Sequence, residues 1–361
     1  MLPRFNNNCL IISIIIAYLL TGCISAPTFD NDTLSTGEST DETAAIWDTL
    51  PGWHKENMQE VWGVYQANCQ MLMKRANWKD HCSVAQQVDA RNPEAIRAYF
   101  QKYFYPQLLR DPEQRNMGLI TGYYEPILKG SRQRQGSFQT ALYRYPAGIK
   151  KGSVLPARAE LLRSNLLIGQ ELVYVEDPVE AAFLQIQGSG RIQLEEGGEL
   201  PVTFAGSNEQ PFKSIARWLL DRRQIGPAQA TMQGIKAWAQ AHPEQREALL
   251  NANPRFIFFR ELPENNSTNA PGALGIPLTP QRSLAIDPAY IPLGSLVFLS
   301  TTWPMSNQPL QRLMFAQDTG SAIKGKIRAD FYWGVGPEAG EFAGRMRQPG
   351  QMWVLLPRKI P

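Results

Sequence analysis

Short apolar runs cut by Gly and Pro occupy two separated blocks of this chain, and that separation constrains its fold most. The first block spans about 118–193 and holds LITGYYEPIL, ALYRYP, LVYVEDP and FLQIQGSGRIQL. The second holds RFIFFRE, RSLAID, GSLVFL, RLMFAQD and QMWVLL, between about 255 and 356. Such runs, rich in β-branched and aromatic residues and bounded by turn formers, read as strands. Between the blocks, PFKSIARWLLDRR and TMQGIKAWAQAH repeat their apolar residues at helical spacing, and a third short helix is expected from His242-Pro243 to Asn253-Pro254. Strands this far apart in sequence cannot form one meander. The body is therefore mainly β with helical additions.

Helices are also expected before the first block. Met58, Val61, Trp62, Tyr65, Cys69 and Leu72 recur every three to four residues, as one helix face does. Asn92-Pro93-Glu94 has the form of an N-cap followed by Pro at the first helical position, with Ala95, Ile96, Tyr99, Phe100 and Tyr103 as the stripe. Both read as scaffold.

The N-terminus bears on location. Arg4 precedes the uncharged run Cys9 to Leu20, which is too short for the about 20 helical residues a membrane span needs. It reads as an export signal over 1–22. Leu20-Thr21-Gly22-Cys23 resembles a bacterial lipobox, making Cys23 the lipidated first residue of the mature chain. Ile24 stands where an Asp would resemble an inner-membrane retention signal, which favours the outer membrane, facing the periplasm. Residues 24–45 carry five acidic and no basic residues among Ser, Thr and Gly, the composition of a flexible acidic tether over 23–45. Once Cys9 leaves with the signal and Cys23 takes lipid, Cys69 and Cys82 remain as a pair in an oxidising compartment, where a disulfide is expected. Neither has a C-x-x-C partner for redox or zinc chemistry.

Several function classes lose support on composition. Lys and Arg total 36 against 33 Asp and Glu, a net charge of +3 without clustered basic patches, so nucleic acid is not an expected partner. The three histidines lie in separate segments, which disfavours multi-histidine metal sites and histidine-assisted nucleophiles. Gly320 to Lys326 has phosphate-loop spacing, but Ile327 follows where a hydroxyl must hold magnesium. Gly334 to Gly340 misses the dinucleotide fingerprint by one residue and contains Pro337. No metal or cofactor is expected.

Carboxylates are the remaining candidates for chemistry. Asp287, Asp318 and Asp330 each read as sitting at or just past the end of an apolar run, at the rim of a β structure. A carboxyl whose pKa is raised by burial or a neighbouring like charge can serve as a general acid. Capping and turn roles compete with this, most strongly for Asp287 in its Asp-Pro turn. Tyr123-Tyr124, Phe331-Tyr332-Trp333, Gln185, Gln187 and Ser189 have the composition of a sugar groove, with core packing as the competing role of the aromatics.

The strings TGYYEP (121–126), QIQGSGR (185–191), NPRFIFF (253–259), AIDPAYIPLG (285–294) and DTGSAIKGKIRADFYWGVGPEAGEFAGRM (318–346) resemble those of the membrane-bound lytic murein transglycosylase A family, which carries a three-aspartate (3D) domain. The likeness runs in order from about Trp47 to Val354. It implies a double-psi β-barrel catalytic domain from 46–125 and 255–361, an inserted second β domain at 126–254, and a peptidoglycan groove between them. Carried over by motif, Asp330 matches the catalytic residue and Asp318 and Asp287 the supporting carboxylates. Thr121, Gly122, Tyr123, Tyr124, Gln185, Gln187, Ser189, Lys324, Tyr332 and Trp333 fall in substrate-binding motifs. Ser321 and Phe212 depart from the usual Gly and Tyr.

The implied reaction cleaves the β-1,4 bond between N-acetylmuramic acid and N-acetylglucosamine, with Asp330 as acid and then base and a 1,6-anhydromuramoyl end as product. Asp318, as a neighbouring negative charge, would keep Asp330 protonated or orient it. Alternatives are a two-carboxylate hydrolase and a non-catalytic wall-binding module. Implied partners are glycan strands and, through Cys23, outer-membrane lipid, with room for a cell-wall synthesis or remodelling complex.

Overall fold

Six strands close on themselves around an apolar interior in the computed structural model, which describes residues 46–263 and 269–360. The expected signal, Cys23 and the acidic tether lie outside the described residues. No helix among the described residues is long and apolar enough to cross a membrane.

Helices come first. α1 (Met58–Leu72) starts where the Asn57 side chain accepts from the Glu60 N–H at 3.3 Å. α2 (Ala76–Ala85) follows, and α3 (Pro93–Tyr103) is capped by Asn92, which accepts from the Glu94 and Ala95 N–H groups. Trp62, Tyr65, Tyr99 and Phe100 form their shared apolar face. Cys69 and Cys82 are bonded, joining α1 to α2 with Cα atoms 5.5 Å apart. Closing a loop of 13 positions stabilises by about 3 kcal/mol through the unfolded chain. The Cys69→Ala/Cys82→Ala protein should therefore unfold at lower urea, with a slope no smaller than that of wild type because its unfolded chain is less constrained; an unmoved midpoint would contradict this.

The chain then lays down β1 (Phe104–Leu108) and β2 (Gly118–Glu125), leaves the barrel, and returns with β9 (Ser283–Ile286), β10 (Leu296–Thr302), β11 (Pro309–Thr319), β12 (Arg328–Val335), α9 (Gly336–Arg345) and β13 (Arg347–Pro357). The ring runs β13-β10-β11-β9-β12-β2 and closes by β2 pairing with β13, while β1 extends β13. β2–β12 and β9–β11 are parallel; the other barrel pairs are antiparallel. This is the expected mainly β fold class, a double-psi type of barrel with a second β unit. Alternation sorts β10: Val297 and Leu299 fill the barrel, while Leu296 and Phe298 meet the N-terminal helices.

Between β2 and β9 a second sheet forms, ordered β4-β5-β3-β6-β7-β8. Its strands are β3 (Ile127–Ser131), β4 (Thr140–Tyr143), β5 (Glu171–Val175), β6 (Ser189–Leu194), β7 (Glu199–Ser207) and β8 (Ile257–Glu261). α4 (Arg158–Arg163), α5 (Pro178–Gln187), α6 (Ile215–Asp221), α7 (Met232–Ala241) and α8 (Arg246–Asn251) surround it.

Three readings change. FLQIQ is the end of helix α5, because the Asp177 side chain caps the Val179 N–H at 2.7 Å, Pro178 opens the helix and Gly188 ends it at φ +87°. RFIFFRE, expected in the barrel portion, pairs as β8 with β7 of the second sheet. Asp330 is not past the end of a run but the third residue of β12, because apolar residues continue on both faces behind it.

Candidate active site

β2 and β12 lie parallel with Thr121 opposite Asp330 and Tyr123 opposite Tyr332. Alternation turns Ala329, Phe331 and Trp333 into the barrel and leaves Asp330 outside. Thr121 Oγ1 donates to Asp330 Oδ1 at 2.5 Å and accepts from Arg328 Nη2 at 2.8 Å. Arg328 thus fixes the direction of the threonine hydroxyl. Among the described residues nothing donates to Asp330 Oδ2.

Asp318 comes from the end of β11, just after a register shift against β9. Its Oδ1 accepts from the Ala273 N–H at 3.0 Å and its Oδ2 from the Tyr123 hydroxyl at 3.1 Å, with the Thr319 N–H adding to them. Burial pushes the Asp318 carboxyl up to about 6, and the charge of Asp330 adds to the rise. Burial also raises Asp330, against the opposing pull of the Arg328 cation and the Thr121 hydroxyl. Tyr123 is held well above the usual tyrosine range by burial and the two carboxylates, so it donates at neutral pH.

Behind the pair, Tyr332 donates to Glu125 Oε1 at 2.7 Å, and the Ala270 N–H donates to the same oxygen at 2.9 Å. Arg191 stands 3.8 Å from Glu125 Oε2. This buried cluster pins the segment from 269 over the outer face of the strands. In front opens a cavity of about 700 Å³ between the two sheets. The barrel side contributes Asp318, Asp330 and residues 319–323; the inserted unit contributes Gln185 and Gln187 from the end of α5 and Ser189 and Phe204 from its sheet.

Asp318 and Asp330 are brought together here, and Asp287 is not. It is buried, accepts from the Gly325 N–H at 2.9 Å and the Ala289 N–H at 3.3 Å, and so ties the turn after β9 to the loop before β12. Lys324, expected in the groove, is exposed with Nζ 3.6 Å from Asp287. The expected sugar-facing aromatics are also displaced. Trp333 packs in the barrel against Phe331 and Phe342, Tyr332 is fully buried beneath the site, and the Tyr124 hydroxyl meets Met232 sulfur. Gly122 is a close-packing position, where a Cβ would stand 2.6 Å from the Trp333 ring nitrogen. Cavity aromatics come instead from Phe204, 48% exposed, and Phe212. Ser321 lines the cavity as well. Arg328 and Phe204 were not singled out by the sequence. Arg328 had a signal, since it lies two residues before Asp330 on one strand face.

The MltA specific insert domain matches residues 119–260, and the 3D domain matches residues 282–356. Membrane-bound lytic murein transglycosylase A of Escherichia coli K12 is 36% identical over 243 residues, and the match spans 65% of the length of each chain. The solved lytic transglycosylase LtgG of Burkholderia pseudomallei is 51% identical, with a TM-score of 0.61, over 87% of this chain and 94% of that one. E. coli MltA with bound chitohexaose is 28% identical, with a TM-score of 0.69, over 82% of this chain and 90% of that one. On these matches, together with the closed barrel and the second sheet inserted into it, the chain belongs to the membrane-bound lytic murein transglycosylase A family and carries that family's 3D domain.

Proposed function

We propose that this protein is a peptidoglycan lytic transglycosylase in which Asp330 is both acid and base. The observation that carries this is Asp330 itself: a buried-strand carboxyl at the cavity wall, with one oxygen anchored by Thr121 and the other without a donor among the described residues. Protonated Asp330 gives its proton to the glycosidic oxygen as the bond from the muramoyl anomeric carbon breaks. The muramoyl 6-hydroxyl oxygen then bonds to that carbon and returns its proton to Asp330, leaving a 1,6-anhydro end and a free N-acetylglucosamine hydroxyl. Each turnover restores the protonated acid without water or cofactor. Asp318, whose lone pairs already accept from Ala273, Thr319 and Tyr123, is less suited to activate a water, which counts against the two-carboxylate hydrolase. Turnover tests the reading: purified protein should release soluble fragments from isolated murein, and binding without release would leave only a wall-binding module.

Asp318 then acts through charge. Activity requires protonated Asp330 and falls as pH rises through its pKa. The charge of Asp330 raises Asp318; repulsion between two carboxylates is mutual, so in this proposal an ionised Asp318 helps to hold the proton on Asp330. The Asp318→Asn protein should lose activity at lower pH on the alkaline side than wild type; an unmoved limb in the pH–rate profile would contradict this role.

The proposed layout is a catalytic body from 46–125 and the chain after β8, with 126–261 inserted. Glycan strands are the proposed partner, consistent with a relative that binds chitohexaose. Lipidation at Cys23 and a periplasm-facing outer-membrane location are supported by the lipobox-like string and by relatives named membrane-bound. A wall-synthesis or remodelling complex fits the same place.

A further inference from the structure

Two glutamines enter the cavity from the C-terminal turn of α5 with their amides fixed in one orientation. Arg158 is 6% exposed, and its Nη2 donates to Gln185 Oε1. The Tyr124 N–H donates to Gln187 Oε1 at 3.0 Å. A guanidinium and a backbone N–H can only donate, so each amide oxygen faces its donor and each amide –NH₂ faces the other way. Neither Nε2 donates to any described residue, and both side chains line the cavity. The end of α5 therefore turns two amide donors toward the cavity, with each amide oxygen engaged on the far side.

A sugar hydroxyl both donates and accepts and would be read equally by either orientation of an amide. A carbonyl oxygen only accepts. We infer that Gln185 and Gln187 select glycans by donating to 2-acetamido carbonyl oxygens, and that Arg158 is the positioning residue that holds Gln185 in this donor state. The inference rests on the glycan-cleaving reading of the cavity and adds to it which substituent is read and by what.

Arg158 has a second feature suited to this task. Its partners are neutral: the Asn253 carbonyl at 3.2 Å, the Arg255 carbonyl at 3.1 Å and Gln185 Oε1, with the guanidinium carbon 5.0 Å from the Phe256 ring centroid. No described carboxylate pairs with it. Burial pulls its pKa down to about 10, which leaves it cationic at neutral pH. An unpaired buried cation behind Gln185 also disfavours the ammonium group that de-N-acetylation creates on a sugar.

Gln185→Glu is a clean probe. Glutamate has nearly the same shape, accepts from Arg158 as the amide does and gives that cation the counter-charge it lacks, so the fold is kept; its ionised carboxylate cannot donate. Gln187→Glu, at a more exposed position where the Tyr124 N–H still finds an acceptor, is the second variant. Affinities of the N-acetylglucosamine hexamer and the fully de-N-acetylated glucosamine hexamer are measured by calorimetry on wild type and both variants. Wild type should bind the acetylated hexamer at least about tenfold more tightly, the worth of two lost hydrogen bonds. Gln185→Glu should abolish or reverse that ratio, and Gln187→Glu should reduce it. A general loosening of the groove would weaken both ligands and leave the ratio in place. Equal binding of both hexamers by wild type, or an unchanged ratio in both variants, would overturn this inference and leave the proposed chemistry standing. Failure of wild type to bind either hexamer would overturn both.

Discussion

The Asp330→Asn protein is expected to bind murein strands as wild type does and to turn them over at least about 10⁴-fold more slowly. The amide matches the carboxyl in shape and still accepts from Thr121, so the wall of the cavity is preserved. It can neither protonate the leaving oxygen nor take the proton of the 6-hydroxyl. General acid–base catalysis is typically worth about 10² to 10⁴-fold, and here both halves of the reaction run through one group, which places the loss at or beyond the upper end. Sedimentation with isolated murein reads binding, and fragment release reads turnover. Most of the activity surviving in Asp330→Asn would move the acid role to Asp318.

The second large effect is on stability. Arg282, immediately before β9, is 1% exposed; its Nη2 donates to Glu56 Oε1 at 2.9 Å and to Glu60 Oε2 at 2.9 Å, and its Nη1 donates to the Leu313 carbonyl at 2.9 Å. Glu56, itself buried, accepts in turn from the Leu313 N–H. This network fastens the segment leading into α1 to the barrel, at β9, the strand that pairs with β12 opposite Asp330. Arg282→Met leaves Glu56 as an unpaired buried charge, a change that costs about 3–5 kcal/mol. Adding Glu56→Gln should recover part of the loss, because no charge is then stranded. Urea unfolding of the single and double variants checks both statements; a single variant within about 1 kcal/mol of wild type would contradict them.

Much of the architecture was legible because local signals agreed with the tertiary outcome. Asn92-Pro93 caps α3 as its residues dictate, and the runs that became β9, β10, β11 and β13 are apolar on both faces because both faces are covered. Misreadings came where one pattern serves two structures. FLQIQ alternates like a strand, yet Asp177-Pro178 at its start and Gly188 at its end make it a helix. ADFYWGV carries no alternation of polarity, which hid the strand and with it the alternation that buries Trp333 and brings Arg328 and Asp330 to one face. Asp330 and Asp318 were legible as acid candidates because histidines are scarce and carboxylates follow apolar runs. Their different tasks were not legible, since these depend on which lone pairs are filled by Ala273 and Tyr123, groups remote in sequence from Asp318. Nor was the setting of Gln185, which depends on Arg158 arriving from another helix.

The group that attacks the muramoyl anomeric carbon separates a transglycosylase from a hydrolase. Murein digested by the purified protein in isotope-labelled water, with its products read by mass spectrometry, tests this directly. Intramolecular attack by the 6-hydroxyl predicts fragments ending in 1,6-anhydromuramic acid, one water lighter than the hydrolysed form and free of the isotope. Reducing ends that each carry one labelled oxygen would contradict it and assign Asp318 and Asp330 to a two-carboxylate hydrolase.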